Sequence, residues 1–398
     1  MIYPECGYWW LSQKFNYMEN IKYKSTERIS NADSLFNLLG VDEDYVNGLI
    51  ASKDKLYKVL RVPKKNSRGH RVVYSVDRKL KKLQSLINSR IFSQLIFPLY
   101  LQGSISDPDN KRDYLRCASI HCPSVLVTSI DIKNFFDEIM ADKVNMIFND
   151  FMSFPDDVSH ILTEICTYNG TVPQGAPTSS FIANLVFYKD EFRIAQFAQS
   201  SGFRYTRLLD DITISTPKKF RTSSQIEQRV RRMIKDEGFT VNEEKSKTET
   251  VSGGRLSVHG MVVTGTSPKL TKKRYREIKA FVLNVVNDAS QNSFRQTHIF
   301  YKNYHKASGL LSILKRVEHP AYKKLRAKLK RVKPLPSKVF YNSIVSRTGS
   351  LESKDAELRS EPWFVKSHQK LMYELGILGR SYPTEAQRLR KRLNEIAP

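Results

Sequence analysis

"YTRLLDDITIS", residues 205–215, sets two adjacent aspartates inside a strand-forming run rich in apolar residues. The flanks Arg204–Leu209 and Ile212–Ser215 are strand-like, so the sequence predicts a tight hairpin with Asp210 and Asp211 at its turn. Two like charges side by side are unfavourable away from water unless a cation neutralises them. A solvated turn explains an isolated Asp-Asp pair equally well. The fold therefore depends on what else converges on this hairpin.

Two upstream stretches supply candidates. "VLVTSIDIKNFFDEI" (125–139) is a β-branched run that predicts a strand over Val125–Ile132, followed by Phe135 and Phe136. Asp131 then lies near the strand's C-terminal end, where sites in α/β sheets tend to open. "GTVPQGAPTSSFIANLVFYKDEF" (170–192) predicts a constrained loop with Pro173, Gly175 and Pro177, feeding a helix from Thr178 or Ser179. Gly175 permits close backbone approach, Gln174 offers hydrogen bonds, and a helix start favours an anion nearby. An ordinary loop ahead of a core helix reads the same way in isolation. Three carboxylates with no His or Cys beside them in sequence favour a hard, oxygen-loving ion, Mg²⁺. Two such ions suit phosphoryl transfer.

The rest of the chain frames this core. "TERISNADSLFNLLGV" (26–41) and "DEDYVNGLIAS" (42–52) predict helices, so residues 1–52 read as a helical extension. "LYKVLRVPKKNSRGHRVVYSV" (56–76) predicts a hairpin with a basic turn, and "DRKLKKLQSLINSRIFSQLI" (77–96) an amphipathic helix. Strands and helices alternate from about Val125 to Val263, giving an α+β or α/β core over 53–265. Of the chain's +25 formal charge, Lys269–Lys338 carries 19 Lys and Arg against three acids (Glu277, Asp288, Glu318), a net +16. A helical basic module over 266–338 of this kind predicts a polyanionic partner. Tyr275, Phe281, Phe300, Tyr301 and Tyr304 are interleaved there, as helix core or as bases' stacking partners. "KPLPSK" (333–338) reads as a linker to a mixed-charge piece over 339–398. Within it, "EPWFVKSHQKLMYELGILG" has apolar spacing suited to a partner surface.

Composition excludes several classes. Cys6, Cys117, Cys122 and Cys166 form no CxxC pair, against zinc or a disulfide framework. No stretch approaches the roughly 20 apolar residues of a membrane span, and the opening residues lack a secretory layout. A reduced, cytoplasmic protein is expected, with no membrane partner.

In order, "SIDIKNFFDEI", "VPQGAPTSSFIANLVF", "YTRLLDDITIS", "GFTVNEEKSKTE" and "VHGMVV" resemble the motifs of reverse transcriptases, most closely the bacterial retron type. The resemblance spans about Leu60 to Phe281. It implies an α+β right-hand polymerase with fingers, a ferredoxin-like palm and a basic helical thumb, and RNA-directed DNA synthesis from dNTPs. It implies catalytic, Mg²⁺-binding roles for Asp131, Asp210 and Asp211. By the same resemblance Phe136 is a steric gate against a 2′-OH, and Gln174 and Gly175 contact the incoming nucleotide and template. Arg71 grips the triphosphate, with Lys64 or Lys65 as a second cation, and Lys245 donates a proton to pyrophosphate. The implied partners are an RNA template and RNA–DNA duplex, a cognate non-coding RNA, and a partner protein or second reverse transcriptase.

Three departures from the pattern stand out. Leu208 and Leu209 replace the family's Tyr-Ala before the paired aspartates, at the primer terminus. Cys117 replaces the Asn of an Asn-Ala-x-x-His element ending here at His121. His259 replaces the Thr of a Val-Thr-Gly element. The last two elements are tied to recognition of a retron's own RNA, which turns the expectation towards a retron-like enzyme linked to antiphage defence. A true retron enzyme making RNA-linked DNA, a template-independent polymerase and a non-catalytic RNA-binding scaffold are the alternatives. His121 and His259 are expected to be structural or RNA-contacting.

Overall fold

The structure, a computed structural model, describes residues 19–25, 28–63, 69–107, 111–219, 221–291 and 293–398. It divides into two compact units, Met1–Lys269 and Leu270–Pro398.

The first unit is built on a five-stranded sheet. Its order is Leu101–Gln102, Arg204–Leu208, Asp211–Thr216, Leu126–Asp131 and Lys247–Thr250. The first pair is parallel and the others antiparallel. Val127, Ile130, Tyr205, Ile212 and Ile214 are buried, so the β-branched runs that predicted strands are also what anchors the sheet in the core. The helix Glu191–Ser200 packs against Arg204–Leu208 and against the helix Ser224–Asp236. Further helices, Ala32–Leu39, Arg78–Arg90 and Asp156–Cys166, pack on one another. Their ends are set by local chemistry. Asn31 and Ser34 form a capping box, and the Asp77 carboxylate accepts from the Lys79 amide.

The basic hairpin pairs Tyr57–Pro63 with His70–Val76, placing Val62 opposite Arg71. It stands out from the core, leaving Val59, Leu60, Val62 and Val72 exposed.

The aspartate hairpin differs from the sequence expectation in one respect. Its strands are Arg204–Leu208 and Asp211–Thr216, so Leu209 and Asp210 make the turn and Asp211 opens the second strand. Leu208 pairs with Asp211, and Leu209 takes a left-handed φ of 58°. Two-residue turns match the twist of paired strands, and closing the turn one residue early brings Asp211 into register with Asp131.

In the second unit, Lys272–Asp288, His298–Arg316 and Ala321–Arg331 enclose Ile278, Val282, Phe300, Leu311, Leu325 and Leu329. Phe300 is core; Tyr275, Phe281 and Tyr304 pack against it partly buried. Leu325 and Leu329 face inwards while Lys323, Lys324, Arg326, Lys328 and Lys330 are exposed. Lys338–Glu352, Pro362–Leu378 and Pro383–Glu395 enclose a second cluster around Ile344, Phe364, Leu375 and Leu389. Cys117, Cys122 and Cys166 are buried free thiols, and Cys6 lies outside the described residues. Among the described residues, no helix is long and apolar enough to cross a membrane.

Candidate active site

Asp131 ends its strand directly opposite Asp211, and Asp210 occupies the adjoining turn, where its carbonyl accepts from the Ile132 amide at 3.1 Å. Asp131 is buried, and its carboxylate collects donors from far along the chain. Asn242 Nδ2 donates to Oδ1 at 2.8 Å; Lys245 Nζ lies 3.0 Å from Oδ1 and 3.2 Å from Oδ2. The backbone is tied down too. The Asn242 amide donates to the Asp131 carbonyl at 2.8 Å, and Ser246 Oγ accepts from the Asp131 amide at 3.2 Å. The loop through Asn242 is thereby folded over the end of the Asp131 strand.

The three carboxylates feel one another. Burial, then the charges of Asp210 and Asp131, push Asp211 up to about 7. Its side chain keeps 46% of its surface open, so solvent screens part of that push. Burial also raises Asp210, with Asp131 adding to the rise and the Lys245 and Arg71 cations opposing it. Arg71 thus reaches the site electrostatically from the exposed hairpin.

A histidine does stand nearby, contrary to the expectation from sequence spacing. His259 Nδ1 lies 3.8 Å from Asp211 Oδ2, because the short hairpin Ser257–Val258 and Met261–Val262 holds His259 at its tip. Burial lowers it to about 4, so it is neutral near pH 7. His121 is fully buried and held well below its ordinary value by burial. It shares hydrogen bonds with Ser215 Oγ (2.7 Å) and Thr206 Oγ1 (2.8 Å), joining the two strands of the aspartate hairpin.

Among the described residues, no group of three or more Asp, Glu, His or Cys side chains is placed to hold a metal ion as it stands. The donor chemistry nonetheless fits a hard divalent cation. Asp210 and Asp211 are raised partly by neighbouring negative charge, that of Asp131 included, and a cation beside them relieves that repulsion.

The Gln174–Gly175 loop is fixed to the Arg71 hairpin. The Tyr74 amide donates to the Gln174 carbonyl at 2.8 Å. Gly175 has φ 116°, and a Cβ there would lie 2.6 Å from the Tyr74 carbonyl oxygen. Below the loop, Ser179 Oγ donates to the Pro173 carbonyl at 2.7 Å, at the start of the helix Ser179–Leu185. Phe136 is half-buried, its ring 5.8 Å from that of the buried Phe135 in an edge-to-face arrangement. Leu208 lies against Gly103, where a Cβ would meet its Cγ at 3.2 Å. Lys64 and Lys65 lie outside the described residues.

The fold thus brings together Asp131, Asp210, Asp211 and Lys245, with Arg71 within electrostatic reach and Gln174 and Gly175 joined to its strand. Sequence reasoning missed Asn242, Ser246 and Tyr74. Asn242 had a readable signal, a turn-forming residue three before Lys245. It also missed a buried ion pair beneath the hairpin, Arg207 with Glu191, whose signal was an arginine in the middle of a strand otherwise expected to be buried.

Comparison with known proteins identifies the family. The family model described as reverse transcriptase (RNA-dependent DNA polymerase) matches residues 62–279. The chain is 32% identical over 386 residues to the retron Ec48 reverse transcriptase of Escherichia coli, covering 94% of each protein. It is 30% identical over 377 residues to the retron Se72 reverse transcriptase of Salmonella heidelberg, covering 93% of this chain and 97% of that one. An α+β right-hand polymerase fold follows. The chain belongs to the retron-type reverse transcriptases and is an RNA-directed DNA polymerase.

Proposed function

We propose that Asp131, Asp210 and Asp211 are the catalytic carboxylates, that they hold two Mg²⁺ ions, and that the template is a dedicated non-coding RNA. The observation that carries the metal assignment is the direct cross-strand pairing of Asp131 with Asp211, with Asp210 in the adjoining turn. Like charges at one register position destabilise a sheet unless something positive binds there. When bound, such ions activate an attacking oxygen and stabilise the leaving one.

The reaction joins the primer 3′-oxygen to the α-phosphorus of a dNTP; the bond to the bridging oxygen breaks and pyrophosphate leaves. Arg71 binds the triphosphate as a planar, permanently charged fork. The Gln174–Gly175 loop, held by Tyr74, supports the nucleotide from a backbone free of side-chain bulk. The Phe136 ring excludes a ribose 2′-OH. Lys245 rests on Asp131 and is the cation placed to deliver a proton to pyrophosphate. The exposed lysines and arginines of Lys272–Asp288 and Ala321–Arg331 contact duplex phosphates. The second helical cluster, 339–398, contacts RNA or a partner protein, including a second reverse transcriptase.

Two retron enzymes align along nearly the whole chain, which supports a retron-like role with a cognate RNA. A place in antiphage defence is part of the same proposal. Sequencing the DNA made by the purified protein, before and after removal of its co-purified RNA, tests the template. DNA complementary to that RNA, lost on RNase treatment, is expected. Homopolymeric or random product surviving RNase would establish untemplated synthesis instead, and RNA binding without synthesis would establish a scaffold.

A further inference from the structure

Arg207 and Glu191 are an ion pair with no side-chain exposure at either partner. Arg207 Nε donates to Glu191 Oε1 at 2.6 Å and Nη2 to Oε2 at 2.7 Å. Its remaining donors go to backbone. Nη1 reaches the carbonyls of Ala183 (3.0 Å) and Leu209 (3.2 Å), and Nη2 that of Asn184 (2.9 Å). A guanidinium has five N–H donors in a fixed fork, and here all five have acceptors. Tyr205 adds its hydroxyl to Glu191 Oε1 at 2.9 Å.

The location explains why a full charge is tolerated there. Ala183 and Asn184 lie in the last turn of Ser179–Leu185, whose terminal carbonyls lack intrahelical partners and favour a cation. Glu191 is the first residue of Glu191–Ser200, where an anion is favoured. The pair therefore joins two helix ends behind the sheet. The fifth bond belongs to neither helix. It runs to Leu209, the left-handed residue of the turn that carries Asp210. A leucine is disfavoured there, and such a conformation persists only where its surroundings fix it.

We propose that Arg207 is a positioning residue: by clamping the Leu209 carbonyl to the end of the Ser179–Leu185 helix, it holds the Leu209–Asp210 turn in the shape that aims Asp210 and Asp211. This rests on the assignment of those aspartates as catalytic. It also links the Gln174–Gly175 loop, which feeds that helix, to the aspartate turn through one side chain.

The test replaces the pair with apolar groups of similar size, Arg207→Met with Glu191→Leu, because breaking only one partner strands a buried charge. Arg207→Lys, which keeps the charge but cannot serve five acceptors, is the second variant. Primer extension, thermal melting and amide exchange are read on each, with Asp210→Asn alongside. The expected result is a folded double variant whose kcat falls about 10- to 100-fold with dNTP KM little changed. Amide exchange rises selectively at 209–211, and Arg207→Lys shows the same split. A folded variant of either kind with native kcat and native exchange at 209–211 overturns the clamp, while Asp210→Asn still abolishes synthesis. If the double variant does not fold, Arg207→Lys alone decides by the same two readouts. Surviving synthesis in Asp210→Asn would instead overturn the catalytic assignment itself.

Discussion

Asp131 and Asp211 face each other at one register position of adjacent antiparallel strands, while Asn242 and Lys245 reach Asp131 from a loop more than a hundred residues away. The Asp131 carboxylate is thus already satisfied by nitrogen donors. Asp211 is raised towards neutrality by its surroundings.

That asymmetry has a consequence for stability. Asp211 sits at about 7 in the fold and near 3.9 when unfolded, so the folded state binds its proton more tightly. Its contribution is full below about pH 4 and is lost as pH rises through about 7. Melting curves in EDTA should fall over that window. Mg²⁺ should restore more stability at pH 8 than at pH 5, and Asp211→Asn should flatten the EDTA trend. A Mg²⁺ effect equal at both values would count against ligation by Asp211.

Gly175→Ala is expected to damage nucleotide use. The new Cβ would meet backbone rather than a yielding side chain, 2.6 Å from the Tyr74 carbonyl oxygen, at φ 116°. Strain of about 1–3 kcal/mol must be relieved by parting the loop from the hairpin. Steady-state kinetics should show a higher dNTP KM, with faster amide exchange at Tyr74. Unchanged values for both would mean that the loop and hairpin are not coupled.

Phe136→Ala should admit ribonucleotides. The ring is half-buried, so melting should register a loss of about 1–2 kcal/mol while dNTP incorporation continues. The informative ratio is rNTP to dNTP kcat/KM. If discrimination is unchanged, Phe136 is packing rather than a gate.

The basic helices should give binding a strong salt dependence. With 6–10 phosphate contacts, affinity for an RNA–DNA duplex falls about 10³- to 10⁵-fold between 50 and 200 mM salt. Charge reversal at Lys323, Lys324 and Lys328, which are exposed, should reduce that slope without lowering the melting temperature. A flat slope in the unaltered protein would remove the phosphate-binding role.

What the sequence made legible was what lies close along the chain. The Leu126–Asp131 strand shows in its β-branched run, and the aspartate hairpin in its paired strand-like flanks. The register that sets Asp131 against Asp211 depended on where the turn closed, and one residue decided it. Arg207 with Glu191, and Asp131 with Asn242, are partners across 16 and 111 residues, so only tertiary packing brings them together. His259 looked remote from the aspartates for the same reason, and a hairpin tip delivers it to Asp211.

The most direct measurement is single-nucleotide extension of a DNA primer on an RNA template, with Mg²⁺ and dNTPs, comparing the native protein with Asp131→Asn, Asp210→Asn and Asp211→Asn. Asparagine keeps each side chain's size and removes its charge. Templated extension by the native protein, and its loss in all three variants with primer–template binding retained, is expected. Extension at native rates by any one variant would contradict a site built on three carboxylates.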